Sequence, residues 1–120
     1  MILAGKTDVA LSQLASRRLY RVFMKAGVEI FEYEPQILHA KMFILDDVVY
    51  VGSANLDIRS LYLNFEVNCL IYSHEAVAEL EQTFLRDFEE SILLNRSVFV
   101  ARPLAARLLE NTCRLLSPIL

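Results

Sequence analysis

The stretch that decides the fold runs from residue 39 to residue 55 and reads His39-Ala-Lys-Met-Phe-Ile-Leu-Asp-Asp-Val-Val-Tyr-Val-Gly-Ser-Ala-Asn55. Two apolar runs flank the pair Asp46-Asp47, which is typical of a turn between two strands. The first strand is predicted over residues 37–45 and the second over residues 48–51, where Val48-Val-Tyr-Val51 is rich in β-branched side chains. The segment after Gly52 then ends the second strand. This stretch is therefore predicted to be a β-hairpin.

Four polar side chains near the ends of this hairpin have the spacing of a site. His39 and Lys41 are two residues apart, so on an extended strand they lie on the same face. Ser53 and Asn55 have the same spacing and follow Gly52, which lets a backbone approach a ligand closely. Together they supply a nucleophile or proton donor, a fixed positive charge and two neutral hydrogen-bond donors. The pattern predicts a phosphate site in which the imidazole attacks phosphorus or protonates a leaving alkoxide.

Each of these residues also has an ordinary structural explanation. Lysine side chains lie mostly on solvated surfaces, Gly-Ser-x-Asn is common in turns, and Asp46-Asp47 can be a turn and nothing more. A single histidine is usually structural or solvated. The joint spacing of these residues, and none of them alone, indicates a site.

Strands and helices alternate along the rest of the chain. Further strands are predicted over residues 2–4, 29–34 and 65–72. Helices are predicted from an N-cap at Thr7 or Asp8 to Gly27, from the N-cap Ser73 to residue 94, and from Pro103 to about residue 119. Residues 57–63 are predicted to form a short helix or turn. This order predicts an α/β fold of the α-β-α sandwich kind, with a central mixed β-sheet flanked by helices. We expect residues 1–120 to form a single domain.

Composition limits the possible partners. Hydrophobic residues make up 55% and charged residues 22% of the 120 residues, so a filled core is expected. The net charge of −3 argues against nucleic acid as a partner, because proteins that bind it by the phosphates are usually basic. No apolar run reaches the roughly 18 residues that span a bilayer. We therefore predict that this segment has no transmembrane helix.

The predicted last helix has an apolar side and a basic side. Its apolar side is formed by Leu104, Leu108, Leu115 and Ile119. Arg107 and Arg114 lie opposite, where they could face the headgroups of an anionic membrane surface.

The cysteines do not indicate a metal site. Cys69 and Cys113 lack the C-x-x-C spacing, and both fall in apolar patterns, so we expect two buried free thiols. Too few soft ligands are present for zinc. The sequence predicts neither a metal nor a cofactor.

The spacing of the hairpin residues resembles the signature of the phospholipase D superfamily, His-x-Lys-x4-Asp-x6-Gly-Ser-x-Asn. His39-x-Lys41-x4-Asp46 and Gly52-Ser53-x-Asn55 are both complete, but five residues instead of six separate Asp46 from Gly52. A shorter hairpin is compatible with the signature if the turn absorbs the missing residue and the strands keep their register. Flanking stretches, among them Lys25-Ala-Gly-Val-Glu-Ile30 and Leu63-Asn-Phe-Glu-Val67, are similar to the C-terminal catalytic domain of bacterial cardiolipin synthases.

The resemblance implies a role for each site residue. Glu66 falls where the superfamily has an acidic residue that orients the histidine. The implied catalytic residues are His39, Lys41, Asp46 and Glu66, and the implied phosphate-binding residues are Lys41, Ser53 and Asn55. His39 is expected to act as nucleophile or as acid and base, with the second role favoured. His74 has no lysine two residues later and is expected only to begin a helix.

The resemblance also implies a reaction and partners. Two phosphatidylglycerol molecules would be condensed to cardiolipin and glycerol through a phosphohistidine intermediate, at the bacterial cytoplasmic membrane. A second motif would be needed, either in the same full-length chain or in a homodimer partner. Two alternatives remain: a phosphodiesterase or nuclease of the same superfamily, and a catalytically inert, lipid-binding fragment.

Overall fold

The computed structural model describes residues 1–6, 10–56 and 58–103. In chain order its elements are β1 (Ile2–Ala4), α1 (Ala10–Lys25), β2 (Phe31–Tyr33), β3 (Met42–Leu45), β4 (Val48–Gly52), α2 (Ile58–Tyr62), β5 (Asn68–Ile71), α3 (His74–Glu89), β6 (Ser91–Leu93) and α4 (Arg96–Val100). This mixture of strands and helices confirms the predicted α/β class. The chain divides into a first unit, residues 1–38 with 91–120, and a second unit, residues 39–90.

The first unit contains a mixed sheet in the strand order β1-β2-β6. β1 lies parallel to β2, and β6 lies antiparallel to β2 on its other side. The buried side chains of Tyr20, Met24, Ile30 and Phe99 form its core cluster. Tyr20 and Met24 are four residues apart and therefore share one face of α1. The Tyr20 and Phe99 rings stack with their centroids 5.8 Å apart, and the Arg102 guanidinium lies 3.5 Å above the Phe99 centroid.

Gly27 ends α1 as the sequence predicts. Its φ is +87°, a conformation that glycine adopts without the strain a Cβ would bring. The Val28 N–H donates to the Phe23 carbonyl at 3.0 Å, and the Gly27 N–H donates to the Met24 carbonyl at 3.3 Å. These two bonds form a Schellman motif, which satisfies the last carbonyls of the helix.

The second unit is built on the predicted hairpin. β3 pairs antiparallel with β4 from Met42↔Val51 to Leu45↔Val48, and β4 pairs antiparallel with β5. Only Asp46 and Asp47 lie between the last paired residues, so the turn has two residues and the register is continuous. The shortened spacing is thus absorbed by the turn, as expected. Val49 on β4 and Val77 on α3 are the buried apolar side chains reported for this unit.

Several elements differ from the prediction in their bounds. The strand predicted over residues 37–45 begins only at Met42, where its register with β4 starts at Met42↔Val51. The long helix ends at Glu89 instead of residue 94, and Ser91–Leu93 forms β6 against β2. Two consecutive acids, Glu89 and Glu90, are unfavourable at the negative end of the helix dipole. The prediction over residues 73–94 was therefore wrong at its end, where pairing with β2 replaced the helix.

The strand arrangement and one cysteine also differ. Where the sequence predicted one central sheet, the described strands form two sheets of three strands each. Cys69 is exposed on β5, so the expectation of a buried thiol was wrong at this position. The helix predicted from Pro103, its arginines, Cys113 and the N-cap at Thr7 or Asp8 lie outside the described residues. Among the helices that are described, none has the length and apolar character needed to cross a membrane.

The first unit yields a stability prediction. Phe99→Ala should lower the free energy of unfolding by about 3 kcal/mol or more, because it removes a buried ring that packs on Tyr20 and Arg102. Val98→Ala is the matched control, since Val98 is 66% exposed in the same short helix. Denaturant unfolding of the complete protein measures both. Equal stability of the two variants would contradict the central place of Phe99 in this core.

Candidate active site

Three of the predicted site residues, His39, Lys41 and Ser53, lie at the open end of the β3–β4 hairpin. His39 and Lys41 precede β3, while Ser53 follows the last residue of β4, Gly52. The Gly52 N–H donates to the Lys41 carbonyl at 3.0 Å, which extends the ladder one step past the strand. This bond holds the segment with the histidine and lysine beside the segment with the serine.

His39 and Lys41 meet although neither belongs to a strand. The Lys41 Nζ lies 2.6 Å from the His39 Nε2. An ammonium group can only donate, so a charged Lys41 requires Nε2 to be the acceptor and the ring proton to be on Nδ1. In this tautomer the Nε2 lone pair is directed at the lysine. That nitrogen is the atom a nucleophile or general base needs.

Ser53 is bound to the segment that precedes β5. Its hydroxyl donates to the Glu66 Oε2 and accepts from the Val67 N–H at 3.0 Å. The Ser53 N–H donates to the Val67 carbonyl, also at 3.0 Å. Backbone and side chain together therefore hold Ser53 against residues 66 and 67.

Glu66 is the negative charge of the site. Its Oε1 accepts from the Asn64 amide at 3.3 Å, while its Oε2 accepts from Ser53. The hydrogen bond from Ser53 lowers the pKa of Glu66 most, and desolvation opposes it as the second-largest effect. Hydrogen bonds from Ser60 and Asn64 and the charge of Lys41 each lower the pKa by less, and the net shift is downward. The carboxylate is thus ionised at neutral pH. The attraction to Lys41 links the serine–glutamate pair to the histidine–lysine pair.

The two remaining candidates, Asn55 and Asp46, take no part in the hydrogen bonds described above. Asn55 lies two residues after Ser53 with an exposed side chain. Asp46 lies in the turn at the opposite end of β3, roughly 15 Å from Lys41 at about 3.3 Å per residue. Its φ is +49°, as the first residue of a tight hairpin turn requires, and aspartate tolerates this conformation better than most residues. The structure therefore places Asp46 with the turn and not with the other site residues.

Comparison with known proteins shows the family of this chain. The family described as "Cardiolipin synthase, PLD-like domain" matches residues 1–88. The chain belongs to this family.

Curated relatives extend the similarity over the whole chain. Cardiolipin synthase 2 of Bacillus cereus is 41% identical over 121 residues, which cover 100% of this chain and 24% of that protein. The cardiolipin synthase of Geobacillus kaustophilus is 40% identical over 96% of this chain and 23% of its own length. That of Alkalihalophilus pseudofirmus is 37% identical over 100% of this chain and 24% of its own. The chain thus spans about a quarter of the curated relatives that it matches, and no solved structure matches it.

Sequence reasoning missed two residues that touch this phospholipase D-like site. Ser60 and Asn64 both hydrogen-bond Glu66, and neither belongs to the signature that drew attention to the hairpin. The two-residue spacing of Asn64 and Glu66 was the only available signal. Conversely, the orienting bond predicted from Glu66 to His39 stays a prediction, since the bonds given for the described residues join Glu66 to Ser53, Ser60 and Asn64. In the same part of the chain, no three His, Cys, Asp or Glu side chains are grouped so as to hold a metal ion.

Gly52 has a physical reason to be glycine. A Cβ at this position would overlap the Asn68 side chain and would lie 2.8 Å from the Val67 carbonyl oxygen. Asparagine can rotate away, but the carbonyl belongs to the backbone that holds Ser53. A side chain at position 52 would therefore push the serine–glutamate segment away from the hairpin.

We expect Gly52→Ala to lower the free energy of unfolding by about 1–3 kcal/mol, the usual cost of an overpacked contact. Two further variants serve as controls: Asn68→Ala alone, and the double variant that combines Gly52→Ala with Asn68→Ala. Thermal unfolding of the complete protein compares the stability of the two. Removing the asparagine side chain should recover only part of the loss, because the backbone contact remains. Full recovery would show that the backbone approach is not what requires glycine.

Proposed function

We propose that residues 1–120 are the phospholipase D-like catalytic domain at the C-terminal end of a longer enzyme of the cardiolipin synthase type. The observation that supports this most directly is the contact between His39 and Lys41 beside Ser53 and Glu66, in a chain of this family. Because the chain spans only about a quarter of its relatives, a second motif has room in the remainder of a longer protein. A homodimer partner is the other source of a second motif.

The proposed reaction is the transfer of a phosphatidyl group between two phosphatidylglycerol molecules. A histidine nitrogen attacks the phosphorus of the first molecule, a P–N bond forms, and the P–O bond to the free glycerol breaks. The hydroxyl of the second molecule then attacks the same phosphorus, a new P–O bond forms, and the P–N bond breaks. The products are cardiolipin and glycerol.

We assign His39 to proton transfer in this reaction. In its protonated form it donates a proton to the glycerol oxygen as that group leaves, and in the second step it takes the proton of the attacking hydroxyl. The lone pair on Nε2 that Lys41 contacts in the substrate-free site is the position for that proton. When a phosphate enters, the ammonium group turns to the phosphoryl oxygens and leaves the ring free.

Lys41, Ser53 and Asn55 are the proposed phosphate-binding residues. The ammonium group offers a fixed positive charge where negative charge develops on the phosphoryl oxygens. Ser53 adds a hydroxyl held in place by Val67, and Asn55 adds an exposed amide two residues further along. The chain itself has a net charge of −3, which favours a lipid over nucleic acid as the phosphodiester. We place the reaction at the bacterial cytoplasmic membrane surface, where phosphatidylglycerol would be met.

The test is the conversion of phosphatidylglycerol to cardiolipin by the complete protein in vesicles. His39→Ala, His39→Gln and Lys41→Met should each lower the rate roughly 100-fold or more, because proton transfer or charge balance is lost. His74→Ala and Lys25→Met are matched controls that should retain the parental rate. Both control residues are exposed, His74 at the start of α3 and Lys25 at the end of α1.

Two results would overturn the proposal. One is cardiolipin formation by His39→Ala at more than a few per cent of the parental rate. The other is a parent that hydrolyses DNA or a small phosphodiester and forms no cardiolipin, which would make the site that of a nuclease or phosphodiesterase.

Glu66→Gln should lower the rate less than His39→Ala does, by roughly tenfold, because it removes a charge and leaves the amide shape. The pKa of Glu66 is lowered by its hydrogen bonds, so the parental carboxylate stays ionised as the pH falls and its contribution is lost only below the ordinary glutamate range. Protonation of Glu66 should thus lower the rate of the parent at low pH. The Glu66→Gln variant has no carboxylate to protonate at this position, so its rate should lack that decline. A rate that is unchanged by Glu66→Gln across the pH range would remove Glu66 from the site.

A further inference from the structure

The Glu66 carboxylate is held by residues outside the signature. Its Oε2 accepts from Ser53, which belongs to the signature, but its Oε1 accepts from Asn64, and Ser60 donates a further hydrogen bond. Both oxygens of the carboxylate are thus engaged. A carboxylate held at both oxygens cannot rotate about its last bond without losing a partner.

Ser60 and Asn64 are themselves fixed by α2. Ser60 lies inside this helix and is 8% exposed, the one buried polar side chain reported for the described residues. Asn64 follows the helix directly, and its N–H donates to the Arg59 carbonyl at 2.7 Å. The Leu63 N–H donates to the same carbonyl at 2.9 Å. The end of α2 therefore fixes the backbone from which Asn64 reaches Glu66 two residues later.

The position of Glu66 affects both halves of the site. Ser53 has one hydroxyl proton, and that proton goes to Glu66, so the carboxylate decides which way the serine lone pairs point. Lys41 lies close enough to Glu66 for their charges to interact. A carboxylate that turned away would release the serine proton and change its attraction to the charge of Lys41.

We propose that Asn64 and Ser60 are positioning residues of the phosphate site, which hold the Glu66 carboxylate in the orientation in which it accepts the Ser53 hydroxyl. Neither contacts the substrate in this assignment, and both act through Glu66. Only the expected effect of these residues on kcat rests on the proposed function. The anchoring of the carboxylate stands on the contacts themselves.

The first test is independent of activity. The pKa of Glu66 is measured in the complete protein by NMR with glutamate labelled at the carboxyl carbon, and Glu66→Gln identifies the signal. Asn64→Ala should raise this pKa towards the ordinary glutamate value, because a donor to the ionised form is lost. Asn64→Asp, which has nearly the same shape, should raise it further, because it replaces the donor by a second carboxylate. Leu63→Ala, an exposed neighbour, should leave it unchanged.

The second test is kinetic. Asn64→Ala should lower kcat for cardiolipin formation roughly three- to tenfold and move the acid side of the pH profile upwards. In the Glu66→Gln background the same substitution should have little further effect, since the carboxylate it positions is gone. Ser60→Ala should follow the same pattern, with a loss of kcat in the parental background and little further loss in the Glu66→Gln background. Leu63→Ala should leave kcat unchanged in each background.

The outcomes separate this proposal from the proposed function. An equal loss of kcat on Asn64→Ala in both backgrounds would show a purely structural role and overturn the proposal. So would a pKa of Glu66 that does not move in Asn64→Ala or Asn64→Asp. A pKa that moves as expected in a protein that forms no cardiolipin would support the anchoring of Glu66 and refute the proposed function instead.

Discussion

The rest of the second unit depends on the register of the β3–β4 hairpin. A two-residue turn at Asp46-Asp47 makes Leu45 face Val48, and each later pair follows from that one. The last step of the ladder joins the Lys41 carbonyl to the Gly52 N–H. A slip of one residue would send every side chain of the strand to the other face and would separate the lysine from the serine. The turn at one end thus decides the chemistry at the other.

Charge balance is the second constraint on this site. Lys41 and Glu66 have opposite charges, and the lysine contributes to the lowered pKa of the glutamate. The Lys41 ammonium group also contacts His39, and the serine proton goes to the carboxylate. Hydrogen bonds and charge thus connect the histidine, lysine, serine and glutamate with one another.

Gly52 shows how the constraints of packing and chemistry meet. Gly52 is the last residue of β4, which pairs with β5. It directly precedes Ser53, whose hydroxyl donates to Glu66. Any Cβ here would approach the Val67 carbonyl, whose neighbouring N–H holds the serine hydroxyl. In this chain position 52 favours glycine because the two backbones come close together there.

Much of this protein could be predicted from its sequence. The hairpin, the turn at Asp46-Asp47, the α/β class, the end of α1 at Gly27 and the N-cap of α3 at Ser73 all follow from local patterns. Local patterns suffice there because turn chemistry, helix caps and the two-residue period of strands act over a few residues. The pairing of His39 with Lys41 followed from their spacing too, although they meet before the strand begins and not on its face.

Other features were decided only by tertiary structure, because they depend on contacts between distant residues. Ser91–Leu93 continues a helical pattern in the sequence, yet it pairs with β2, a strand that lies about 60 residues earlier in the chain. The division of the strands into two sheets and the exposure of Cys69 depend likewise on which strands become neighbours. The sequence by itself determined which chemical groups stand near the hairpin and that they suit a phosphate. Only the tertiary structure decided that Glu66 is held by Ser53, Ser60 and Asn64, because a carboxylate takes its partners from whatever donors the fold brings within reach.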